Sequence, residues 1–137
     1  MKQIDCILLV DDNPADNLYH SIIINESGVC KQIKIVTDGL EAIAYLEKSL
    51  SHENETEFPE PQLIFLDINM PRMNGFEFLE SYIKMNHREK KSILISMLTT
   101  SINSDDKDKA LTYNVVSEFQ NKPITVPMLH SLVEKYF

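Results

Sequence analysis

The chain is short of glycine, cysteine and positive charge and has no tryptophan: its 137 residues hold 3 Gly, 2 Cys and 13 Lys plus Arg against 21 Asp plus Glu. A net charge of −8 argues against a non-specific grip on phosphate backbones, so nucleic acid is not expected as a direct partner. Cys6 and Cys30 lie far apart with no CxxC or Cys/His cluster, which sets aside a disulfide framework and a thiolate metal site. Cys6, inside an apolar run, reads as a small hydrophobe. No stretch reaches the roughly 20 apolar residues of a membrane helix. Asp5, Asp11 and Asp12 also cut the first apolar run too short for a signal peptide. A cytoplasmic, reduced protein with no membrane contact is therefore expected. The length predicts a single domain over 1–137, large enough for a core without staples and leaving no residues for an output domain.

What is present is a series of short apolar runs: "CILLV" (6–10), "IKIV" (33–36), "LIFL" (63–66), "ILISML" (93–98) and a weaker "SEFQN" (117–121). Runs of this length, rich in Ile, Val and Leu, suit strands covered on both faces. Segments with helical period alternate with them. Residues 14–27 open on Pro14 behind Asp12 or Asn13 as cap and carry Leu18, Ile22 and Ile23 on one stripe; residues 39–50 carry Leu40, Ile43, Ala44 and Leu50. Phe76, Leu79 and Ile83 mark a third helix, Ser104 with Asp105 and Asp106 starts a fourth, and Leu129, Leu132, Val133 and Tyr136 share a face behind Thr125 and Pro127. Five strand-then-helix units predict an α/β fold, a doubly wound parallel sheet with helices on both faces. "SHENETEFPEP" (51–61), acidic and without apolar period, reads as an exposed loop.

Ligands of such sheets sit at the carboxyl ends of the strands. Those ends carry Asp11 and Asp12, Asp67, Thr99 with Thr100, and Lys122 before Pro123. An aspartate at a strand end is commonly only a turn or cap residue, and Asp12 could cap the helix at Pro14. Asp11 has no such excuse. Clustered carboxylates repel one another unless a cation is present, and a hard divalent ion with oxygen ligands, Mg²⁺ by preference, removes the conflict. With metal and Lys122 neutralising a phosphoryl donor, one carboxylate oxygen could attack phosphorus and form an aspartyl phosphate.

Taken in order, "LLVDDN", "LIFLDINMPRMNG", "LTTS" and "NKP" resemble the receiver domain of two-component response regulators, of the stand-alone chemotaxis-regulator type, from Ile4 to Phe137. The resemblance implies a flavodoxin-like five-stranded sheet of order 2-1-3-4-5 flanked by five helices. It implies Asp67 as phosphoacceptor, Asp11 and Asp12 as the acidic pair positioning Mg²⁺, and Asn69 as donor of a backbone carbonyl to the metal. Lys122 matches the phosphate-contacting lysine, Thr99, favoured over Thr100, the switch hydroxyl, and Phe119 the aromatic that changes rotamer on activation. Pro123 matches a proline whose peptide bond is commonly cis in this family. The glycine usual before the fifth strand is missing, with Asn114 as the expected left-handed substitute. Gly75 is expected to permit the turn into the third helix.

The implied function is a signalling module rather than an enzyme. A sensor histidine kinase or phosphotransfer protein donates to Asp67, and the modified chain switches a face, residues 103–136, toward a target protein or a second copy. A phosphorylation-independent receiver-like scaffold is the alternative. A haloacid-dehalogenase-like phosphatase would need an acid/base Asp two residues beyond its nucleophile, and Asn69 stands there. Asp16 and the remaining acidic residues read as solvated faces, the four histidines show no ligand spacing, and Met70, Met73 and Met97 read as packing residues.

Overall fold

A computed structural model describes residues 2–52, 54–85, 93–100 and 103–137. Five strands alternate with five helices: β1 (Ile4–Val10), α1 (Pro14–Ser27), β2 (Cys30–Val36), α2 (Gly39–Leu50), β3 (Leu63–Asp67), α3 (Gly75–Lys84), β4 (Leu94–Thr99), α4 (Ser104–Leu111), β5 (Val116–Asn121) and α5 (Val126–Tyr136). The strands are parallel throughout and ordered β2-β1-β3-β4-β5, the flavodoxin-like arrangement expected. Each helix starts on a residue whose side-chain oxygen accepts a backbone N–H of the first turn: Asn13, Asp38, Asn74, Asn103 and Thr125. Such caps satisfy donors that no preceding turn can reach.

Alternate residues of the central strands feed two cores. Leu8, Val10, Ile64, Leu66, Ile95 and Met97 pack under α2 and α3 with Leu46, Phe78 and Leu79. Ile7, Leu9, Leu63, Phe65 and Leu98 pack under α1 and α5 with Ile24, Leu129, Leu132 and Val133. Full burial on both faces explains why these strands read as continuous apolar runs. The edge strands do not. β2 begins at Cys30, three residues before the apolar run, and Lys31, Gln32 and Ile35 are exposed, because only one neighbour covers it.

Several helix faces differ from the predicted ones. In α1, Leu18 and Ile22 are 65% and 47% exposed, while Asn17, His20, Ile24 and Ser27 are buried. In α2, Leu40 and Ala44 point outward and Ala42, Tyr45, Leu46 and Leu50 inward; in α3, Ile83 is exposed and Tyr82 takes its place. Apolar count along these helices marked a stripe, but tertiary contacts chose its neighbour.

Residues 51, 52 and 54–57 are exposed as expected, but the end of that loop is not. Pro59 and Pro61 are buried, Phe58 stacks edge-on with Tyr45 at 5.6 Å, and the Tyr45 hydroxyl donates to the Pro59 carbonyl at 2.5 Å. Asn114 is not in the left-handed region; outside glycine, His52 (φ 57°) and Arg72 (φ 62°) are.

Candidate functional site

The carboxyl ends of β1, β3 and β4 and the turn after β5 border one cleft of about 200 Å³ lined by Asp11, Asp12, Asn13, Asp16, Asp67, Asn69, Thr99, Thr100 and Lys122. Parallel register brings these residues level: Val10 pairs with Leu66, Asp67 with Leu98, and Thr99 with Asn121. Asp11, Asp67 and Thr99 are buried, Asp12 is exposed at the mouth, and Asn69 and Thr100 are exposed on the rim.

The Lys122 ammonium lies 2.6 Å from Asp11 Oδ2, 3.0 Å from Asp16 Oδ2 and 3.3 Å from Asp67 Oδ1, with the lysine side chain 8% exposed. Its backbone is held as well, by Lys122 N–H donating to the Thr99 carbonyl at 2.7 Å. The Lys122–Pro123 peptide bond is cis, as the family resemblance implies. Burial alone would lower the lysine pKa, but hydrogen bonds to Asp11 and Asp16 and the Asp67 and Asp11 charges outweigh it and hold the ammonium above the ordinary lysine value. Asp67 moves the other way from a typical salt-bridged acid. Burial, then the neighbouring Asp11 charge, push it up to about 6 despite Lys122. One ammonium does not neutralise the rim.

Asp11, Asp12 and Asp67 each offer an oxygen, all within 4.8 Å of one another. Oxygen-only donors at that spacing suit a hard divalent cation, and the raised Asp67 pKa marks the charge deficit such an ion would fill.

Asn69 belongs to a tightly held loop. Gly75 N–H donates to Ile68 O at 2.8 Å, Gly39 N–H to Met73 O at 2.9 Å, and the left-handed Arg72 places Nε 2.7 Å and Nη2 2.5 Å from Asp38 Oδ2. Gly75 serves by its size rather than its backbone freedom: a Cβ there would lie 2.5 Å from the Asp67 carbonyl oxygen. Met97 is buried beneath the site and Met70 and Met73 pack against the same core.

The structure thus brings together Asp11, Asp12, Asp67, Asn69, Thr99, Thr100 and Lys122. Phe119 is not among the cleft residues; it is half-buried on β5 against the α2/α3-side core. Asp16 was expected to be solvated and is instead an ion-pair partner of Lys122. Asn17 and His20 were also missed. Asn17 Nδ2 donates to the Asp11 carbonyl at 2.9 Å, and His20 Nε2 accepts from Ile124 N–H at 3.2 Å. The available signal was spacing: positions 16, 17 and 20 share one helical face.

Comparison with known proteins agrees with this geometry. The family model described as "Response regulator receiver domain" matches residues 7–134. The chain is 40% identical over 100 residues to the response regulator Rcp1 of Synechocystis sp., a match spanning 73% of this chain and 65% of that protein's length. It is similar to the crystal structure of a two-component response regulator from Cytophaga hutchinsonii, with TM-score 0.88 and 29% identity over 98% of both chains. It is also similar to the Mn²⁺-bound form of Rcp1, with TM-score 0.66 and 28% identity over 95% of this chain and 89% of that one.

Proposed function

The chain belongs to the response regulator receiver family, phosphorylation-dependent signalling modules of two-component systems, and we propose that it accepts a phosphoryl group on Asp67. The observation that carries the reading is the Lys122 ammonium held against the carboxylates of both Asp11 and Asp67. It supplies a fixed positive charge where a transferring phosphoryl group gains electron density. Asp11, Asp12, Asp67 and the Asn69 backbone carbonyl would hold Mg²⁺, a use supported by the donor cluster and by the metal-bound relative. When bound, the ion supplies charge neutralisation for the carboxylates and the incoming phosphate.

In the proposed transfer, an Asp67 Oδ forms the new P–O bond as the P–N bond of a phosphohistidine breaks. The imidazole leaves with that electron pair and takes up a proton. Lys122 and Thr99 would contact the phosphoryl oxygens, and Thr99 with the Phe119 ring would report the added dianion to the α4-β5-α5 face. α4 has a single buried side chain, Ala110, so this element can shift at small cost in packing. The downstream partner, a target protein or a second copy, would engage residues 103–136.

The donor is a sensor histidine kinase or a phosphotransfer protein. Leu18, Tyr19 and Ile22 are 65%, 48% and 47% exposed on α1, the helix whose first turn borders the cleft. We place donor docking there, since an apolar patch beside the rim favours contact with a protein surface. Among the described residues no helix is long and apolar enough to cross a membrane.

The test is Mg²⁺-dependent labelling by acetyl phosphate. The parent should incorporate one base-labile phosphoryl group that hydroxylamine releases, and Asp67→Asn none. Persistent labelling of Asp67→Asn would overturn the assignment.

A further inference from the structure

The face that α1 turns toward the site is polar, whereas a helix packed on a sheet ordinarily buries apolar side chains there. Asp16, Asn17 and His20 reach from it to three points: the Lys122 ammonium, the Asp11 carbonyl, and the Ile124 N–H two residues beyond the lysine. One helix face therefore clasps both the strand end with the acidic pair and the turn with the lysine.

Resting on the reading of Asp67 and Lys122 above, we infer that Asp16 is a positioning residue for phosphoryl transfer: it gives Lys122 a counter-ion lying outside the metal-binding carboxylates. An ammonium has three N–H donors, and the Lys122 side chain, 8% exposed, cannot turn them to bulk water. Three carboxylates stand within 3.3 Å of it: Asp11, Asp16 and Asp67. Two of these belong to the oxygen cluster suited to a cation, Asp11, Asp12 and Asp67; Asp16 does not. Without Asp16, the lysine would find its counter-charge only on Asp11 and Asp67 and would compete there with the metal. With it, Lys122 stays charged and aimed at Asp67 while those carboxylates remain available.

Asp16 is well placed for such a role. It lies in the first turn of α1, its N–H donating to the Asn13 cap at 3.1 Å, so the origin of its carboxylate is set by the helix start. The lysine backbone is held from both sides, by Thr99 on β4 and, through Ile124, by His20 on α1. Asp16 completes the arrangement by fixing the charged end.

The experiment is a double-mutant cycle between Asp16→Asn and Lys122→Met, read as Mg²⁺ affinity by amide-NMR titration. The phosphorylation rate with acetyl phosphate at saturating Mg²⁺ and the melting temperature are measured alongside. Asp16→Asn keeps the side-chain shape and removes the charge. In the parent it should weaken Mg²⁺ binding and slow phosphorylation by about tenfold each, as supporting partners of metal ligands typically do, with Asp16→Glu recovering most of both. In the Lys122→Met background it should change Mg²⁺ affinity by less than about twofold, because the competing ammonium is gone. Equal weakening in both backgrounds would overturn the inference, since Asp16 would then act on the cation by charge alone. A lowered melting temperature with unchanged Mg²⁺ affinity and rate would overturn it too. Because Mg²⁺ affinity is read without phosphorylation, failure here is distinguishable from failure of the Asp67 assignment, which Asp67→Asn labelling reports.

Discussion

Removing the Asp67 charge should stabilise the metal-free protein. Burial and the Asp11 charge raise this carboxyl from 3.8 to about 6 in the folded state, and its side chain is only 12% exposed. For an acid with a raised folded-state pKa, the favourable contribution is present below the unfolded value and is lost as pH rises through the folded one. At about pH 7.5 the native state therefore carries an ionised group it disfavours by about 3 kcal/mol, two pKa units at about 1.4 kcal/mol each. Asp67→Asn is neutral throughout. In urea unfolding with chelator present, it should gain about 3 kcal/mol near pH 7.5 and less than about 1 kcal/mol near pH 4. The same change corresponds to a melting-temperature rise on the order of 10 °C at neutral pH. Added Mg²⁺ should then stabilise the parent more than the variant, because the variant lacks one of the carboxylates proposed to hold the ion. No gain near pH 7.5, or a gain independent of pH, would refute the electrostatic account of the cleft.

Other perturbations separate the elements around the site. Arg72→Ala leaves the buried Asp38 carboxylate with its helix-capping bond but without its cation, and should cost about 1–3 kcal/mol in urea unfolding; full stability would show that the clamp is idle. Burial, then the Lys122 charge, hold the His20 pKa below 6.5, so its contribution is present above that value and lost as pH falls below it. The stability advantage of the parent over His20→Gln should accordingly shrink between about pH 7.5 and pH 5, and a constant difference would count against a neutral, hydrogen-bonded imidazole. Leu18→Glu should leave acetyl phosphate labelling and stability near parental values, within about 0.5 kcal/mol for an exposed site. It should lower transfer from a cognate phosphohistidine protein about tenfold, a loss of about 1.4 kcal/mol in docking; unchanged transfer would move the docking surface elsewhere.

The central strands were legible because β1, β3 and β4 are covered on both faces and so appear as predominantly apolar runs. Helix starts were nearly as plain, since Pro14, Asp105 and Thr125 carry local chemistry that does not depend on distant contacts. Asp11, Asp12, Asp67, Thr99 and Lys122 could be expected on one rim because chain order and strand ends confine them there, and all five line the cleft. The α1 face was misread for the same physical reason that makes it interesting. Polar groups are wholly or partly buried there against charged and backbone partners 6 to 106 positions away, which no local period reveals.

By itself, the sequence determined the alternation of elements, the parallel sheet and the residue types at its carboxyl rim, because propensity, capping and burial period act over a few neighbouring residues. Only the tertiary structure decided how the charges are shared. It assigned Asp16 to Lys122, clamped Arg72 to Asp38, turned Leu18 and Ile22 outward and raised the Asp67 pKa. Each depends on distance and desolvation between groups far apart in the chain, and these quantities exist only once the sheet has brought them together.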